Sequence, residues 1–134
     1  MDLNKGFILN KEIKMLGNLI KSKMEIAEKI TSSSSEIKVY GKSDKIERAI
    51  TEKVMLEKKQ LELIQELNSW KKKLIEKIDK IDCTNVNGYI YKVLLEERYI
   101  NFRSWNDISL ILNLSVTHVR GYLKSKAIET LCST

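Results

Sequence analysis

The sequence predicts an all-α protein, with long N-terminal helices, as a helical hairpin or coiled coil, ahead of a C-terminal domain of three helices. Three observations point there. The chain has no proline and only five glycines in 134 residues, so little in it interrupts a helix. Charged residues make up 31% of it, with many Lys, Glu, Leu and Ile, the mix of long or coiled helices. Apolar residues recur three or four positions apart over most of the length.

The first stripe runs through Leu9, Ile13, Leu16, Ile20, Met24, Ala27 and Ile30. It predicts a helix from about Asn10, a candidate cap, to Ile30. Residues 31–43 then break the pattern. Ser32 to Ser35 compete for local backbone hydrogen bonds, and Gly41 adds to the break, so a flexible Ser-rich loop is expected.

Ser43 is placed to cap a second helix, with Asp44 and Glu47 suited to its positive N-terminal end. The stripe resumes at Ile46, Ile50, Val54, Leu61, Ile64, Leu67, Leu74, Ile78 and Ile81, with a mean spacing near the coiled-coil period. A continuous helix from Asp44 to Ile81 would be about 57 Å long. Its partner is expected to be the first helix, a second copy of the chain, or both. Met55, Leu56, Leu63 and Trp70 widen the stripe and favour more than one contact face. The run Lys71-Lys72-Lys73 points three ways around this helix and reads as a solvated face.

Residues 82–88 (DCTNVNG) are rich in turn formers and end the long helix. The expected division is therefore a helical region over 1–82 and a second domain over 83–134. In the latter, a helix over about 86–99 turns Ile90, Val93, Leu94 and Tyr99 inward, and a loop follows over 100–103. Ser104 then opens a capping box with Asp107. The short helix it starts carries Trp105, Ile108, Ile111 and Leu112, with small Ser109 where a neighbour must approach. Asn113 tolerates the left-handed turn that follows, Leu114 plugs it, and Ser115 caps the last helix. That helix is expected to bury Val119, Tyr122, Leu123 and Ala127 or Ile128, with Trp105 and Tyr122 as core aromatics.

A capped short helix, an Asn-Leu-Ser turn and a capped longer helix follow the helix-turn-helix plan, whose second helix enters the major groove of DNA by its first turns. The expected DNA-contacting set is Ser115, Val116, Thr117, His118, Arg120, Gly121, Lys124 and Lys126. Arg120 has the fork that reads guanine or holds a phosphate. Val116 and Thr117 can meet a thymine methyl, and Gly121 lets a backbone come close. Lys124 and Lys126 suit phosphates. His118, the single histidine, is an exposed helix residue or a contact. The net charge of +6 agrees with a polyanionic partner.

Other classes find little support. Cys83 and Cys132 are far apart, which argues against a zinc site or a disulfide scaffold. No cofactor or metal is expected. Without a glycine-rich phosphate loop or a nucleophile beside a base, an enzyme is not expected either. No apolar run has the length of a membrane span or a signal peptide, so a cytoplasmic location is expected.

Residues 94–131, LLEERYINFRSWNDISLILNLSVTHVRGYLKSKAIETL, resemble the fourth conserved region of bacterial sigma factors. Arg98-Tyr99, Ser104, Ile108, Leu112, Leu114-Ser115, Val119, Ala127 and Leu131 fit that pattern. Asn101 or Phe102 stands where glycine is usual, Ser109 where alanine is, and Asn113 where the turn glycine is. The wider layout resembles small phage- or prophage-encoded regulators of the ArpU and RinA type. That resemblance implies control of phage late or packaging genes. The expected role is a sequence-specific transcriptional regulator that binds double-stranded DNA; the coiled-coil-like stripe suits a homodimer joined through the N-terminal helices, the alternative being a monomer whose first helix folds back on its second. The alternatives are a DNA-packaging component of the small terminase kind and an adaptor that binds RNA polymerase.

Overall fold

A computed structural model describes residues 1–33 and 40–134, with the backbone alone at 27, 29–33 and 40–43. Among the described residues every regular element is helical. Helix α1 spans Lys5–Ser33 and α2 spans Tyr40–Ile78. Helix α3, Val86–Leu95, runs on through a π-helical stretch, Glu96–Ile100. Helix α4 is Trp105–Leu112. The last helix, α5, opens as Val116–His118, widens through the π-helical stretch Val119–Leu123 and closes as Lys124–Cys132. The chain divides into two compact units, residues 8–67 and residues 1–7 with 68–134.

Both long helices begin earlier than their expected caps. Asn10 lies inside α1, which starts after a turn in which the Asp2 carboxylate accepts from the Asn4 N–H at 2.9 Å and the Asp2 carbonyl from Lys5 at 3.3 Å. Ser43 likewise lies inside α2 and is no cap. At the other end, α2 stops at Ile78, three residues short of the expected Ile81. Of the loop expected over 31–43, residues 31–33 and 40–43 are helical, and residues 34–39 lie outside the described residues.

In the unit formed by residues 8–67, α1 and α2 contact each other within one chain. The Gln60 side-chain amide donates to the Ile13 carbonyl at 3.1 Å, and Lys23 pairs with Glu52 at 2.5 Å. Ascending α1 thus matches descending α2. The Lys23 ammonium, through its hydrogen bond and its charge, holds the Glu52 carboxyl below its usual range. Leu9, Leu16, Ala49 and Leu67 are buried, but Met24, Ile50, Val54 and Leu61 of the expected stripe are exposed. At about 100° per residue Ala49 and Leu67 stand in line along α2, whereas Ile50, Val54 and Leu61 lie about 100–140° round from that line.

The other unit holds the larger core. Leu74, Ile78, Leu94, Leu95, Ile108, Val119 and Leu131 are all but inaccessible, and each such side chain contributes about 1.5–3 kcal/mol by leaving water. Helix α3 packs on the closing part of α5, and α4 packs on its opening part. The turn that starts α3 is tightly built. Asp82 accepts from the Thr84 N–H at 2.9 Å and its hydroxyl at 2.7 Å, and Asn85 caps the helix by accepting from Gly88 at 2.6 Å. A Cβ at Gly88 would run into the Asp82 carbonyl oxygen, so only glycine fits there. Gly6 is similarly covered by the ring of buried Trp70.

Candidate nucleic-acid interface

The candidate site lies on α4, the turn after it and the first half of α5. Local chemistry fixes all three. The Ser104 hydroxyl accepts from the Asp107 N–H at 3.1 Å and starts α4. Asn113 ends that helix in the left-handed region, at φ 55 and ψ 46. Ser115 then accepts from the His118 N–H at 3.3 Å and starts the last helix. Ser109 is buried with its hydroxyl donating to the Asn106 carbonyl at 2.7 Å, and its own carbonyl accepts from Leu114 across the turn at 3.0 Å.

The loop before α4 also has a left-handed residue. Phe102 has φ 55, at one of the two positions where the sequence pattern usually has glycine. An L side chain at such a φ costs roughly 1–2 kcal/mol. The Phe102 ring is held in return, edge-on to Phe7 at 5.2 Å and under the Lys71 ammonium at 4.9 Å. Lys71 is therefore a packing partner, unlike the wholly solvated role expected for the lysine run.

Of the residues expected to contact DNA, Ser115, Thr117, His118, Arg120 and Gly121 are exposed, and Val116, Lys124 and Lys126 are half-buried. Arg120 has no ion-pair partner among the described residues. The Lys124 ammonium lies 5.7 Å from the Trp105 ring centre. Lys126 lies 3.7 Å from Glu129 and 5.8 Å from the Tyr122 ring. These two cations are oriented by neighbours, although a pair this exposed adds little stability. No carboxylate occurs between Asp107 and Glu129, so the charged side chains of this segment are all cations.

Three side chains depart from their expected apolar roles, Leu114 among them, which is exposed and does not plug the turn after α4. Tyr122 is 57% exposed and stacks on His118, with ring centres 5.5 Å apart and planes 14° apart. Ile111 is 50% exposed. The last helix buries Val119, Leu123, Ala127 and Leu131, four residues apart throughout. Tyr122 lies within the π-helical stretch Val119–Leu123 but off that buried line. His118 and Tyr122 thus form a flat, exposed pair that the i, i+4 spacing alone could have suggested. Gly121 stands in the open, where an added Cβ would meet nothing within 4 Å.

Among the described residues no cluster of His, Cys, Asp or Glu is arranged to hold a metal ion, and no helix is long and apolar enough to cross a membrane. No family model, curated protein or solved structure matches the chain.

Proposed function

We propose that residues 104–132 form a helix-turn-helix that binds double-stranded DNA, with the first turns of α5 in the major groove. The observation that carries this reading is the exposed, carboxylate-free surface of Thr117, His118, Arg120, Gly121 and Tyr122 on a helix whose start is capped by Ser115. The left-handed Asn113 between two capped helices supports it. Arg120 reads a base or holds a phosphate, and Lys124 and Lys126 add phosphate contacts. The Tyr122–His118 pair is added to the earlier residue set as a flat surface against the sugar-phosphate edge.

The resemblance of residues 94–131 to the fourth region of sigma factors makes a phage or prophage transcriptional regulator, working in the cytoplasm, the preferred role, and no catalytic activity is proposed. A lone motif contacts few base pairs, so specific binding calls for two copies. A second reading is an adaptor that binds RNA polymerase. It is favoured by the exposed apolar residues Leu110, Ile111 and Leu114 beside the turn.

The test is binding to DNA from the chain's own genomic neighbourhood, with a salt titration and unrelated competitor DNA. Saturable binding that resists competitor, and that Arg120→Ala weakens by about 1–3 kcal/mol, supports base readout. Binding lost wholly to competitor, or unchanged by Arg120→Ala, removes Arg120 from that role. Absence of DNA binding with retained polymerase binding favours the adaptor.

A further inference from the structure

Helix α1 carries a second apolar line besides the one it turns toward α2. Ile8, Met15, Leu19 and Ile26 are 54%, 56%, 49% and 44% exposed. They are seven, four and seven residues apart, so they stand in one straight row about 27 Å long. Such a row is costly to leave in water and is the spacing of a helix seam. Beside it lies a shallow apolar groove lined by Leu19, Met55 and Leu56, with the Lys23–Glu52 pair at one end.

We propose that this row is the contact face for a second copy of the chain, packed antiparallel across a two-fold axis midway between Met15 and Leu19. The spacing itself selects the occupant. Seven, four, seven reads the same in both directions, so one antiparallel register sets Ile8 against Ile26 of the second copy and Met15 against its Leu19 at once. A two-fold contact needs such a self-complementary patch. Each Met15 then enters the hole formed by Leu19, Met55 and Leu56 of the other copy, and the symmetry makes that contact twice.

The flanking charges agree with the same register. Glu12 and Lys23 lie on the same flank of the row. Across the axis, same flank faces same flank, so Glu12 of each copy meets Lys23 of the other. Lys23 already touches Glu52 in its own chain and would bridge two carboxylates. A parallel pairing sets opposite flanks against each other, so Glu12 of one copy would not meet Lys23 of the other.

This face belongs to the unit of residues 8–67 and does not depend on whether the last helix binds DNA. The experiment is the mass of the full chain by light scattering and sedimentation, without DNA, from 1 to 100 μM (a range of order Kd for a modest interface). The expected result is a monomer–dimer equilibrium reaching twice 15.6 kDa. Leu19→Glu raises the dimer dissociation constant at least about tenfold, with helicity by circular dichroism unchanged. Val54→Glu, at an equally exposed residue of α2, leaves it alone. In chains with Cys83 and Cys132 changed to Ser, a mixture of Met15→Cys and Leu19→Cys chains forms a disulfide-linked dimer under mild oxidation faster than either alone. A mass of 15.6 kDa at the highest concentration overturns the proposal. So does a larger ring, a dimer that survives Leu19→Glu, or faster linkage within the Met15→Cys chains alone, which would mean parallel packing.

Discussion

The guanidinium carbon of Arg98 sits 4.5 Å from the ring centre of Trp105. It also lies 4.6 Å from the ring centre of Phe7, and one of its nitrogens donates to the Arg103 carbonyl at 2.9 Å. The start of α1, the end of α3 and the start of α4 thus meet on one flat cation. Burial pushes the Arg98 pKa down, with Tyr99 opposing, but arginine keeps its charge at any ordinary pH.

Arg98→Ala is therefore expected to destabilise this unit by about 1–2 kcal/mol, the sum of two partly buried cation–π contacts and a charged hydrogen bond. Arg98→Lys should recover less than half, because a compact ammonium lacks the planar fork that reaches two rings and a carbonyl at once. Urea unfolding followed by Trp105 and Trp70 fluorescence measures both. Equal midpoints for the wild type and Arg98→Ala would show that the rings hold each other without the cation.

Two left-handed residues give opposite expectations. At Asn113, glycine relieves the backbone and is expected to be neutral or stabilising by up to about 1 kcal/mol, while alanine costs about as much. At Phe102, glycine relieves the backbone but loses the ring contacts to Phe7 and Lys71. Phe102→Gly should therefore lower the thermal midpoint, and Phe102→Ala should lower it further, by roughly 1 kcal/mol, since it keeps the φ penalty and loses the ring as well. A Phe102→Gly chain more stable than the wild type would contradict this.

The contrast between these positions shows what a linear reading captures. Ser104, Asn113 and Ser115 act on their own backbone within three residues, so their roles at α4 and α5 are written locally. Gly88 and Phe102 depend on what folds against them, and nothing in the DCTNVNG stretch announces that Asp82 will crowd Gly88. The core positions were readable while the helical period held. They failed at exposed Tyr122, inside the π-helical stretch, and on α2, where Ala49 rather than Ile50 or Val54 stands in line with buried Leu67. Helix starts were least readable, because Lys5 and Tyr40 begin α1 and α2 ahead of the strong capping residues Asn10 and Ser43.

Acid should loosen the turn before α3. The two hydrogen bonds from Thr84 favour the ionised form of Asp82 and hold its pKa below the ordinary 3.8. A carboxyl with a depressed folded pKa contributes stability that is fully present above 3.8 and is lost as pH falls through the lower folded value. Amide exchange at Thr84 and Gly88 is therefore expected to speed up, relative to the rest of α3, only below that pH. Asp82→Asn should remove most of this pH dependence. Unchanged relative exchange down to pH 2 would mean that the Asn85 cap alone holds the turn.

Gly88 and Gly121 separate folding from binding. At Gly88 an added Cβ collides with the Asp82 backbone, which a flexible side chain cannot relieve, so Gly88→Ala should lower the thermal midpoint by the equivalent of about 1–3 kcal/mol. At Gly121 the Cβ meets open space on a helix, and alanine there is expected to stabilise by up to about 1 kcal/mol. Under the DNA-binding proposal, that open space is where the sugar-phosphate backbone approaches, so Gly121→Ala should weaken DNA binding while raising the thermal midpoint. A protein that is both more stable and equally tight on DNA would place the duplex away from Gly121 and leave Thr117, His118 and Arg120, nearer the start of the helix, as the contacts to test.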